Sequence, residues 1–181
     1  MTTFDFGKGP VPAHQHSNGG GWVADTATVS ETVYVGPDAR VTGNAVVTGN
    51  AEVSGNAQVT GNAMVTDNAK VSGNAVVSGN AVVIGDAEVS DNARLTGNAR
   101  VTGNAMVSGN AKVFGNAKVF DYAVVSGDAR VYGDAEVSDN ARVSGRVWVY
   151  DNAWVYENAR VSGDAKVFGD AMVSGRAVVI D

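Results

Sequence analysis

From Val23 onward, large apolar, polar and small residues recur in one phrase of six, V-[S/T]-G-[N/D]-A-x, that never loses phase. Steps of six from Val23 pass Val29, Val35 and Val41 and reach Val179, with Leu95 the single departure from valine. Four residues after each of these positions stands alanine, replaced only by Val33 and Val147. A helix would scatter every sixth residue over several faces, whereas a strand, alternating with period 2, keeps the alanine and valine of A-x-V-S on one side. The variable residue and the serine or threonine take the other side, so each hexad reads as a short strand with one buried flank. The glycine and the asparagine or aspartate that follow both tolerate left-handed backbone angles and predict a tight bend.

Strand-and-bend units of constant direction predict a chain that winds rather than zigzags, and hexapeptide periods of this kind mark parallel β-helices. The phrase resembles that of the left-handed parallel β-helix of hexapeptide-repeat proteins, with an aliphatic first position and a small residue four later. The resemblance implies an all-β fold with three strands and 18 residues per turn, about eight to nine turns long. Handedness comes from the resemblance alone, since the general rule for parallel crossovers favours the right hand. Asparagines one turn apart, such as Asn44, Asn62, Asn80, Asn98 and Asn116, then read as side-chain hydrogen-bond ladders. Residues 1–22 differ in kind, with Phe4, Phe6, Val11 and Trp22 set among glycines and prolines. They are expected to cap the open first coil of a β-helix spanning residues 23–181. The closing Val178-Val179-Ile180-Asp181 carries no polar terminal unit, so that edge is expected to need a neighbour's protection.

A net charge of −6 disfavours nucleic acid and anionic membranes as partners. No stretch is long and apolar enough to span a bilayer, and MTTFDFGKGP lacks a signal-peptide core, which predicts a cytoplasmic protein or a phage product made there; the resemblance implies bacteria or phages as the source. There is no cysteine, so no thiolate chemistry is available. The two histidines, His14 and His16, fall one short of the three protein ligands usual for a catalytic zinc; no metal and no cofactor are expected. The acyltransferases that this pattern resembles use a histidine base in the coil region, and carbonic anhydrases of the fold use three histidines on zinc. Neither arrangement occurs here, which leaves His14 and His16 as the catalytic candidates, acting across a subunit boundary. The G-N-A-x phrases are corners rather than phosphate loops, because no G-x-x-x-x-G-K-[S/T] is present and no helix follows.

With three strands per turn the outward residues sort onto three faces. On the first, Arg40, Arg94, Lys112, Arg130 and Lys166 precede the valines without an acid, and Phe114, Tyr132, Tyr150 and Phe168 follow them at consecutive turns, with Trp148 alongside. Planar rings beside cations suit a glycan or a small planar ligand, so the ligand-binding candidates are Lys112, Phe114, Arg130, Tyr132, Trp148, Tyr150, Lys166 and Phe168. The second face carries Val46, Met64, Val82, Ile84, Phe120, Trp154, Tyr156 and Met172, an apolar surface expected to be an oligomer interface. The family resemblance implies a trimer. The third face is a column of serines, Ser54 to Ser162, beside mixed charges.

These columns favour a non-catalytic, self-associating scaffold or binding module. An acyltransferase-like enzyme with its site between subunits is the alternative. A third reading, ice binding, rests on Thr42, Thr60 and Thr96 in one column; Arg40, Gln58 and Arg94 occupy the column beside them, where matched threonines are expected in an ice face of this fold.

Overall fold

In the computed structural model, which describes residues 2–181, the hexads contribute one short strand each, most of them only the variable residue and the valine. Met64 pairs in parallel with Val46 on one side and Val82 on the other, so residues 18 apart lie next to each other. The strands form three sheets of 11, 9 and 9, and the described residues contain no helix. Up to the last coil, the residue before the valine donates its amide to the alanine-column carbonyl of the next coil, as from Met64 to Ala81 at 2.9 Å and from Arg130 to Val147 at 2.8 Å. At a strand spacing of about 4.8 Å the coils build a rod roughly 40 Å long. The chain is thus an all-β solenoid with three parallel sheets, as its period predicts.

Inside the rod the valine and alanine columns face each other and exclude water. From Val33 to Val161 they are essentially fully buried, including Leu95 and the two valines that replace alanine. The outward columns therefore carry whatever chemistry the rod offers.

The bend differs in one respect from its expected form. Only the third residue of the phrase takes the left-handed conformation; the asparagine after it does not. Glycine usually fills that place, but Asp67, Asp91, Asp121, Asp139, Asp151 and Glu157 occupy it with φ of 56–62°. Five of these six carboxylates accept the amide of the third residue one coil further on, for example Asp91 from Gly109 at 2.9 Å and Glu157 from Gly175 at 2.6 Å. Gly97 tests this arrangement, because a Cβ there would stand 3.0 Å from the Gly115 amide nitrogen and carbonyl oxygen. Gly97→Ala is expected to lower the unfolding free energy by about 2 kcal/mol through left-handed strain and crowding. Gly97→Asp should lower it by less, although it adds more atoms, because its carboxylate gains the Gly115 amide. Equal denaturation midpoints for the two variants would show that the corner carboxylates contribute nothing.

The fourth residue builds the expected ladders, and they have a direction. The Asn44, Asn62, Asn80, Asn98 and Asn116 amides each donate to the side chain one coil on, at 3.0–3.3 Å, and the series ends at Asp134. A second ladder runs from Asn56 to Asp128, and a third from Asn50 through Asn68 to Asp86. Each ends at an aspartate because a carboxylate accepts but cannot pass a hydrogen bond on.

Ahead of the first coil, β1 (Thr3–Asp5) pairs antiparallel with β2 (Pro10–Gln15), which pairs antiparallel with β3 (Trp22–Ala24). The first sheet thereby gains two strands. Residues 16–21 cross the start of the third sheet, where Val35 donates to the Asn18 carbonyl and accepts from the Gly21 amide. Gly21 must be glycine, since a Cβ would run into the Gly36 carbonyl. In the last coil, Val173 and Val179 are half-buried while Met172 and Ile180 are 66% and 70% exposed.

Candidate functional site

Chain register alone places the residues of the first face. Arg94, Lys112, Arg130, Trp148 and Lys166 are successive partners across one sheet. Two residues along each strand, Phe114, Tyr132, Tyr150 and Phe168 point to the same side. Because strand spacing falls within the centroid separation of offset-stacked rings, the four aromatics form a continuous pile. Phe114 and Tyr132 lie 4.8 Å apart and 2° from parallel, Tyr132 and Tyr150 5.1 Å and 3°, Tyr150 and Phe168 5.4 Å and 13°. Trp148 meets the edge of Tyr132 and sits between the Arg130 guanidinium at 5.0 Å and the Lys166 ammonium at 5.4 Å.

The structure brings the eight candidate ligand-binding residues together, but with their π faces turned to one another. Ring edges and the outer side of Phe168, 55% exposed, remain for solvent. Burial in the pile raises the Tyr132 phenol above its ordinary pKa of 10.0, helped by Tyr150 and Asp151 and opposed by Arg130. The folded chain therefore favours the neutral phenol, whose contribution to stability is intact below pH 10.0 and fades as pH climbs through the raised value. A spectrophotometric titration of wild type minus Tyr132→Phe should show a phenol that ionises above pH 10.0; a difference curve centred at or below that value would contradict the burial.

The three faces treat charge differently. On the third, Lys70 stands between Glu52 and Glu88, and on the second Lys118 bonds Glu136 at 2.7 Å. Among the described residues, no cation of the first-face column makes an ion pair. The second face is less continuous than its composition suggested. Val46, Met64 and Val82 with Ile84 form one apolar patch, Trp154 and Met172 with Tyr156 another. Arg100, Lys118 and Glu136 lie between them in strict register, with Phe120 alongside Lys118.

The histidines part company. His14 is exposed and its Nδ1 lies 2.8 Å from the Asp25 carboxylate, whereas His16 is buried with Nε2 3.0 Å from the Val33 carbonyl. Among the described residues, no three histidine, aspartate or glutamate side chains converge as metal ligands would. No helix of the described residues is long and apolar enough to cross a membrane.

A family model, the YdcK beta solenoid repeat, matches residues 69–85, close to one full coil. The fold is a β-solenoid wound on a six-residue period. Among solved structures the solenoid is similar to Francisella novicida UDP-N-acetylglucosamine acyltransferase, with a TM-score of 0.49 and 17% identity over 80% of this chain. It spans 62% of that enzyme's length. No curated protein matches it in sequence. Sequence reasoning about the solenoid missed two groups. Asp25, the partner of His14, was signalled only by an acid at a glycine corner. Arg160 and Arg176, which with Asn158 and Val178 line an open depression of about 380 Å³, sit on columns that look mixed in one dimension.

Proposed function

We propose that this solenoid is a non-catalytic, self-associating scaffold that offers its first face to a ligand. The observation that carries the reading is the segregation of outward chemistry by face: unpaired cations with stacked rings on one, apolar patches on another, serines on the third. Trp154, 44% exposed and in register between Glu136 and Met172, is the anchor of the association; side-by-side trimers are the expected form. Light scattering tests it: Trp154→Glu should raise the dissociation constant of the oligomer at least tenfold, and Ser126→Glu on the serine face should leave it unchanged. A wild type that stays monomeric at working concentrations rejects self-association.

The exposed His14–Asp25 pair supports a second reading, an acyltransferase-like enzyme in which the carboxylate orients a histidine base. Heat on binding acetyl-CoA, or thiol release when an amine or hydroxyl acceptor that takes the acetyl group is added, lost in His14→Ala, would favour it over the scaffold.

A further inference from the structure

We infer that the first face is a docking strip for a linear, carboxylate-bearing polysaccharide, a polyuronate, laid along the rod axis. The inference rests on reading this face as the ligand surface and names its ligand by charge and shape. Arg94, Lys112 and Arg130 are direct cross-strand partners, and Lys166 follows beyond Trp148. Like charges in adjacent strands repel. Lys70 and Lys118 have an acid beside them in register, and Arg142 and Arg160 on the third face form an isolated pair without one; the first face extends such a run to three cations in consecutive strands. None of the acids at the flanking corners pairs with these cations: Asp128 and Asp134 end asparagine ladders, Asp151 accepts the Gly169 amide and Asp164 holds Arg146.

The rings add to this field rather than interrupt it. An aromatic ring is negative on its faces and positive at its edge. Stacking hides both faces of Tyr132 and Tyr150 and one face of Phe114, and leaves edges outward. Edges and cations thus form two parallel positive rows, repeating at the strand spacing of about 4.8 Å. An extended polyuronate offers one carboxylate per sugar ring, and Arg130 and Arg94 can hold carboxylates by paired N–H donors. Single-stranded nucleic acid fits less well, because its bases need open ring faces to stack on, and the whole chain carries −6.

The test uses the full chain with polygalacturonate as probe, its fully methyl-esterified form as the neutral counterpart, and oligo-dT. Calorimetry at low salt should show polygalacturonate binding that weakens as salt rises. It should fall at least tenfold in Lys112→Glu and in Arg130→Glu, both checked for an unchanged circular dichroism spectrum. Arg142→Glu, on the third face, should bind as wild type does. Tighter binding of oligo-dT, or equal loss in Arg142→Glu, overturns the inference. If the methyl ester binds as well as the acid and Lys112→Glu abolishes both, the face remains a ligand surface but the polyanion inference fails. If neither polymer binds, the inference fails, and the ligand-surface reading stands or falls separately on neutral and planar probes.

Discussion

Val101→Asp is expected to abolish cooperative folding of the rod, whereas Arg100→Asp, one residue away, should leave its melting nearly unchanged. Val101 is fully buried between Val83 and Val119, in a core built only of valine, alanine and one leucine. A carboxyl group there finds no donor, and the valine's own burial is forfeited, a combined loss of about 4 kcal/mol or more. In a solenoid each coil is stabilised by its two neighbours, so the damage spreads to both interfaces. Arg100 is exposed on the outside of the same strand, where substitutions stay within roughly 0.5 kcal/mol. Thermal melts followed by circular dichroism decide the matter; similar midpoints for Val101→Asp and wild type would mean that the valine column is not the core.

Deletions should obey the period even more sharply. Removing residues 78–95 joins Val77 to Thr96 without breaking the phrase, and Asn62 then meets Asn98 as it now meets Asn80. The shortened rod should melt cooperatively with a small drop in midpoint, about one coil's share of nearest-neighbour stability. Deleting Gly97 alone instead leaves the pairs that straddle it one residue out of register, so the coil there must lose its corner or turn a valine outward, because side chains alternate along a strand. That loss should exceed the one-coil deletion's by several kcal/mol, about the scale of a core defect, and uncouple the melting of the two halves. Comparable melting of the two deletion variants would contradict the stacked register.

What the sequence made legible follows from which interactions repeat. Valine, alanine and asparagine recur so regularly that strand, core and ladder could be read from spacing alone. The bend was legible only as a pair, since glycine and asparagine both suit positive φ; carboxylate bonds to the next coil's amide explain why Asp91 or Glu157 can stand where glycine usually does. The fate of His16 was hidden, because its burial depends on residues 16–21 crossing the third sheet, a contact outside the repeat. At the candidate site, the aromatic column was visible in one dimension. Whether its rings would offer faces or edges depends on side-chain rotation, and mutual stacking settles that in favour of edges.

The fixed pairing of residues 18 apart turns residue number into a coordinate. The remainder after division by the turn length gives the compass bearing of a side chain, and the quotient gives its height in steps of about 4.8 Å. Moving a residue by one turn shifts it straight up the rod; moving it by one hexad carries it to the next face. Functional groups grafted onto the outward positions can therefore be placed on a surface grid by arithmetic, with no change to the inward columns that hold the grid rigid.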